Sequence, residues 1–259
     1  MTRPARLGTI VLAIAALLPL AALVITAFGT TWFYPALLPA GWTLEGWTVV
    51  GGGRLGPAVA TSLAIGSAAS LLATVAAVPI GRAIARGDRL VARIGTGAAF
   101  LPIAIPPIAL ATGLQLLALR TGVGGTVVGV VLAHAVPALG YLTLFFVGIF
   151  RGVDPEIESA AHTLGLSPRA AWRHVLLPLL RRPLVEALLL GFLVSWAQVP
   201  LTLLIGGGAV RTLATELLAY VQAGQDRLAA VSALLLLLPA LLALGASRRL
   251  ARTTGTLAG

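Results

Sequence analysis

Bond-making chemistry needs nucleophiles, general acids and bases, or metal ligands gathered at one place, and this sequence supplies few of them. It has no cysteine, which excludes disulfides, thiolate metal sites and cysteine nucleophiles. Its three histidines, His134, His162 and His174, are scattered and form no metal or nucleophile cluster. All 18 basic residues are arginine. A P-loop places a lysine on the nucleotide phosphates, so this chain is not an ATPase by itself. Gly51-Gly52-Gly53 reads as a plain turn, because neither a strand nor a lysine accompanies it. No catalytic residue, no metal site and no resident cofactor are expected.

The groups that could engage another molecule gather in one polar stretch, Arg151 to Pro178, flanked on both sides by apolar sequence. The pattern predicts two short helices joined by a turn. Asp154 is a good N-cap with Pro155 at the first helical position. Glu156 and Glu158 place negative charge in the first turn, where the helix dipole favours it. Gly165 can take the left-handed conformation that ends the first helix. Ser167 then caps a second helix that starts at Pro168 and carries Arg169, Arg173 and His174, and Pro178 closes the stretch. A membrane-embedded chain has no folding need for so well specified a pair, so the stretch reads as a docking site.

The surrounding chain must position that pair. Of its 259 residues, 58% are hydrophobic and 10% charged, against roughly a quarter charged in a soluble domain. The composition predicts an all-α polytopic membrane protein with six transmembrane helices. The first run, Leu7 to Phe28, follows Arg3 and Arg6. It is longer than the roughly 7–15-residue core of a signal peptide and reads as a retained helix. Gly29 to Pro57 reads as a loop in which Trp32, Tyr34, Trp42 and Trp47 suit a membrane–water interface. The second run, Ala58 to Ile80, precedes a short basic loop with Arg82, Arg86, Arg89 and Arg93. The third, Gly97 to Leu119, holds Pro102, Pro106 and Pro107 and predicts a kinked helix. The fourth, Thr126 to Phe150, holds His134 and Pro137; the fifth, Pro183 to Ile205, holds Glu186 and Ser195-Trp196-Ala197-Gln198. Gln198 is costly in lipid and should face other helices. Gly206 to Asp226 predicts a polar loop with a short interfacial helix, and Leu228 to Ala246 is the sixth run.

Arginine placement orients these spans. With both termini in the cytoplasm, 14 arginines fall on cytoplasmic segments and four, Arg54, Arg120, Arg211 and Arg227, fall outside, as the positive-inside rule requires. The net charge of +10 is therefore a set of topology signals, and no nucleic-acid partner is expected. Arg151 to Pro178 then lies in the cytoplasm.

That stretch is similar to the EAA loop of ABC importer permeases, the membrane subunits of binding-protein-dependent uptake systems. The family pattern is Glu-Ala-Ala, three residues, Gly, nine residues, then Ile-x-Leu-Pro. Here Ala160-Ala161, Gly165 and Val175-Leu176-Leu177-Pro178 stand in register, with Ser159 at the usual Glu position and Glu158 one residue earlier. Weaker features are Leu101 to Pro107, and His134 with Pro137. The resemblance implies a five-helix permease core over 58–246, with the coupling loop at 151–178. An N-terminal helix and extracytoplasmic loop over 1–57 would precede it, and a cytoplasmic tail over 247–259 would follow. It also implies a multi-pass protein of the inner membrane that works with two ATPase subunits, which bind the ATP and magnesium, and with a second permease subunit, identical or sibling. An extracytoplasmic solute-binding protein delivers the solute. In that reading Glu158, Ser159, Ala160, Ala161, Gly165 and Leu177 serve ATPase coupling. Gln115, Ser195, Trp196, Gln198 and Thr202 are polar or amphipathic groups at membrane depth and candidates for the translocation pathway. The C-terminal part resembles permeases for polyamines, thiamine, iron or oxyanions, which leaves the solute open. The rival reading is an ion-coupled carrier or channel using Glu186 or His134.

Overall fold

The computed structural model describes residues 3–255 apart from 31, 33 and 34. Tyr34, and the side chains of Arg3, Arg6, Arg248, Arg249 and Arg252, lie outside the described residues. The helices are α1 Arg3–Phe28, α2 Glu45–Gly52, α3 Leu55–Arg86, α4 Arg89–Ala104, α5 Pro107–Arg120 and α6 Val127–Gly152. They continue with α7 Pro155–Thr163, α8 Pro168–Ala171, α9 Leu177–Trp196, α10 Pro200–Gly206, α11 Leu213–Gln222 and α12 Asp226–Gly255. A π-helical turn, Trp172–Leu176, joins α8 to α9. The described residues form no strand; one isolated bridge pairs Gly29 with Trp42. By length and apolarity α3, α6 and Asp226–Ala243 of α12 can cross a membrane, and the number rises to five if each of two bent helix pairs is one span.

The chain divides into two compact units, Ser62–Val210 and Met1–Thr61 with Arg211–Gly259. In the second of these, α12 packs against α1, α2 and α11. Phe28 stacks on Trp47 at 5.2 Å, and Arg227 donates to Glu45 at 2.8 Å and to the Thr30 carbonyl at 3.1 Å. The segment expected to be a loop from Gly29 to Pro57 thus contains α2, and Gly51 and Gly52 are helical rather than a turn. Thr43 Oγ1 accepts from the Glu45 N–H at 3.1 Å and starts that helix.

In Ser62–Val210, α6 is the central element. It packs on α4, α9 and α10 and buries Leu142, Phe146 and Phe150 against Ala73, Ala77 and Leu180. Small residues let these helices approach. A Cβ on Gly81 would come within 2.6 Å of Phe146 Cβ and 3.1 Å of the Thr143 carbonyl. Ser70 Oγ donates to the Leu188 carbonyl at 2.6 Å and ties α3 to α9.

Four prolines change the expected spans. The third run is two helices, α4 and α5, bent by 100°, rather than one kinked helix. Ile105 is pushed to extended backbone by the proline after it, and Pro106-Pro107 offers two successive residues without an N–H. The fifth run breaks between α9 and α10 with a bend of 66°, since Pro200 cannot donate to the carbonyl a turn earlier. Pro178, expected to close the polar stretch, lies in the first turn of α9, and helix continues from Pro168 to Trp196. The π turn explains this. Leu177 N–H bonds to the Trp172 carbonyl, five residues back, and the widened turn accommodates a proline that would otherwise clash with the preceding turn. The basic loop is shorter than expected as well. Arg82 and Arg86 end α3, and Asp88 caps α4 by accepting from Val91 N–H at 2.8 Å.

Gly81→Val forces the α3–α6 contact apart and should lower stability by about 2 kcal/mol. Gly148→Ala meets open space and should leave the melting temperature unchanged or slightly raised. Thermal unfolding of both variants in detergent checks the pair.

Candidate functional site

The polar stretch folds as its caps dictate. Asp154 accepts from the Glu156 N–H at 2.9 Å and starts α7. Gly165 sits at φ +83°, a conformation glycine adopts without strain. Leu166 N–H reaches the Ala161 carbonyl at 3.1 Å and Gly165 N–H the His162 carbonyl at 2.9 Å, the double closure of a Schellman ending. Ser167 accepts from Ala170 N–H at 3.3 Å and starts α8.

α7 has an inner face and an outer face. Ala161 is buried and Glu158 is turned inward onto Arg82 of α3. Ser159, Ala160 and Gly165 are exposed. Beside them, Ile157 and Leu164 are 40% and 83% exposed, so Ile157, Ala160 and Leu164 form an apolar stripe at helical spacing on the outer face. Leu177 is also exposed, near the start of α9. Ile157 and Leu164 were not singled out from sequence, although an apolar residue at each end of a polar helix is a readable signal.

Arg82 is shared. It donates to Glu158 of α7, and its guanidinium lies 6.0 Å from the ring centroid of Trp172 in the π turn. One turn further along α3, Arg86 donates to the Val153 carbonyl at 2.7 Å, where α6 ends. The hydrogen bond from Arg82 holds the Glu158 carboxyl below its usual range. Partial burial opposes this, and the charges of Arg82, His162 and Arg86 reinforce it.

At the other end of the Pro168–Trp196 helix lies a buried polar brace. His134 of α6 reaches Ser195 Oγ at 2.8 Å through Nδ1 and Thr202 Oγ1 at 3.0 Å through Nε2. The Thr202 hydroxyl donates to the Gln198 carbonyl at 3.1 Å, which leaves its oxygen to accept from Nε2–H. Nδ1 then accepts from Ser195. One residue of α6 therefore holds both sides of the α9–α10 break. Trp196 is buried and stacks on Phe192 at 5.3 Å. Gln198 lies at the break itself, half-buried, and Gln115 is half-buried on α5. Glu186 is paired with Arg182, one turn away on α9, at 3.2 Å. Apart from Gln115 on α5 and Glu186 within α9, the sequence-selected residues thus fall into two groups, one at the α7–α9 corner and one at the α9–α10 break. Some 20 residues of α9 separate them, about 30 Å of helix.

Residues 77–254 match the family described as binding-protein-dependent transport system inner membrane component. The chain belongs to that family, the permeases of ABC importers. Three relatives illustrate the similarity. The inner membrane ABC transporter permease protein YnjC of Escherichia coli K12 is 33% identical over 54% of this chain and 28% of its own length. The chain therefore spans little more than a quarter of that relative. The molybdenum transport system permease protein ModB of Mycobacterium tuberculosis H37Rv is 29% identical over 74% of this chain and 78% of its own. The putative 2-aminoethylphosphonate transport system permease protein PhnV of Salmonella choleraesuis is 31% identical over 73% and 71%.

Two outcomes follow. His134→Ala leaves the Ser195 and Thr202 hydroxyls buried without their shared partner and should cost about 1–3 kcal/mol, read as a lower unfolding temperature in nanodiscs. A spin label at Leu164→Cys, unique in this cysteine-free chain, should report pH. A lowered Glu158 pKa means that the ion pair's contribution is complete above the ordinary carboxylate range and is lost only as pH falls through the depressed value. The label should stay ordered from pH 8 down through the ordinary carboxylate range and loosen only as pH falls below it.

Proposed function

We propose that this chain is a transmembrane permease subunit of an ABC importer, which carries a small polar solute across the inner membrane by alternating access driven by a separate ATPase subunit. The observation that carries the proposal is the α7–α8 corner. Two capped helices form it; the first presents an apolar stripe outward, and the second continues without a joint into a membrane-length helix. A soluble partner that grips such a corner moves the helix with it.

In this reading six helices span the membrane with both termini in the cytoplasm, an arrangement supported by the arginine asymmetry. The five-helix core is 58–246, and 151–178 is the coupling loop. Two ATPase subunits hold the ATP and magnesium, a second permease subunit completes the pathway, and an extracytoplasmic binding protein delivers the solute. Ser159, Ala160, Leu164, Gly165 and Leu177 face the ATPase, while Glu158 and Ala161 support them from inside. The pathway runs by Gln115, Trp196 and Gln198, with Ser195 and Thr202 fixing the broken helix beside it. Relatives named for molybdenum and for 2-aminoethylphosphonate transport support a small polar solute. An ion-coupled carrier finds less support, because Glu186 is ion-paired and His134 is held by two hydroxyls.

The test is co-purification from native membranes. The tagged parent should bring an ATPase subunit with it. Gly165→Asp, at a left-handed turn, and Leu164→Glu, on the exposed stripe, should both lose it while remaining folded. A parent that brings no ATPase under gentle solubilisation overturns the proposal.

A further inference from the structure

A coupling loop is useful only if the force it receives reaches the helices that must move. By the chain alone α7 is joined to its neighbours by two short links, Val153-Asp154 on one side and Leu164 to Ser167 on the other. Neither fixes the angle between α7 and the helix that begins at Pro168. Side chains from α3 do. Arg82 and Glu158 are 76 residues apart in sequence and joined by a hydrogen bond. The same guanidinium lies over Trp172, on the second arm of the corner. Arg86 holds the carbonyl of Val153, where the loop begins. Two arginines one turn apart on a single helix therefore grip the loop at its entrance, on its first helix and on its second.

The register of the acid supports this assignment. Position 159, where the permease pattern has Glu, carries Ser159 on the exposed outer side of α7. Glu158 lies about 100° around the helix and faces Arg82 instead of a partner. The carboxylate in this chain is thus an internal fastener rather than a displaced docking contact. Both members are partly screened from water, with side-chain exposures of 34% for Arg82 and 22% for Glu158. Arg82 also has an aromatic face beside it. That combination holds a geometry better than a lone surface pair, which is easily solvated away.

We propose that Arg82 is a positioning residue for ATPase coupling, clasping Glu158 and Trp172 so that both short helices move with α3. The inference rests on the importer reading above. The ATPase stroke then enters the membrane along two helices, α9 by direct continuity and α3 through the clasp. Breaking the clasp should leave the ATPase bound and hydrolysing ATP, but should waste the stroke.

The experiment uses the whole transporter, co-purified and reconstituted in proteoliposomes with its binding protein, and reads solute uptake and ATP hydrolysis together. Arg82→Glu and Glu158→Arg, each alone, should retain the ATPase subunit and hydrolysis within about twofold and lose uptake per ATP by about tenfold, the size of a typical coupling energy between sites. The double exchange Arg82→Glu with Glu158→Arg should recover most of the ratio, and Trp172→Phe should keep it. A merely structural role would instead lower the amount of assembled transporter and leave uptake per ATP unchanged. A second readout keeps the test independent of charge reversal. Spin labels at Ala83→Cys and Leu164→Cys should give a narrow distance distribution in the parent and a broad one with Glu158→Gln. If uptake per ATP is unchanged in the single variants, or the distribution stays narrow with Glu158→Gln, the clasp is not a coupling element and the importer reading stands. If the parent carries no ATPase, the importer reading falls and the clasp's proposed role falls with it.

Discussion

In hydrocarbon a backbone N–H or C=O without a partner costs several kcal/mol, because no water can take its place. The unit Ser62–Val210 interrupts its helices in spite of that cost, and several of the interruptions are matched by a device that satisfies freed groups. At the α9–α10 break the Gln198 carbonyl takes the Thr202 hydroxyl, and His134 ties Thr202 to Ser195. At the far end of α10 the Ile205 carbonyl takes the Gly125 N–H at 2.8 Å. At Pro178 the helix widens into a π turn instead of breaking. The bends are therefore fixed shapes rather than loose joints, and the rest of the unit is packed around them.

A physical connection therefore runs between the two groups of functional candidates, although they lie about 30 Å apart. The helix that starts under the α7–α8 corner ends at the polar break. Its middle is clamped to α6 by Leu142 and Leu180 and to α3 through Ser70. Displacing one end of a hydrogen-bonded rod displaces the other, whereas a loop in that place would absorb the movement. At the corner the backbone groups are satisfied locally as well. The carbonyls at the end of α7 and the N–H groups at the start of α8 find partners within the corner.

How much of this was legible in the sequence follows the range of the interactions. Asp154, Gly165 and Ser167 could be read correctly because a cap is completed within two to five residues. The apolar runs were legible from composition, and so was a short helix within 206–226. Proline was legible as a disturbance but not in degree. Pro106-Pro107 gave a 100° break where a kink was expected, and Pro178 gave continuity where an end was expected. The outcome depends on whether tertiary packing covers the freed groups, which local sequence does not carry. The same holds for the partners of His134, 61 and 68 residues away, and for Arg82 with Glu158. Single polar residues in long apolar runs announce that they need a partner without saying which.

The π turn at Trp172–Leu176 has one more consequence. Such a turn is what a single-residue insertion leaves in an α-helix. Everything before it is rotated about the helix axis by about 100° relative to a regular helix. In this chain that rotation is what aims Trp172 at Arg82 while Leu180 and Ala187 still face the α6 core. Excising one residue there would restore ideal helix geometry and swing Trp172, Arg169 and Arg173 around the axis. The irregular turn thus lets one continuous helix be addressed separately at its two ends, with one face set for the loop and another for the α6 core.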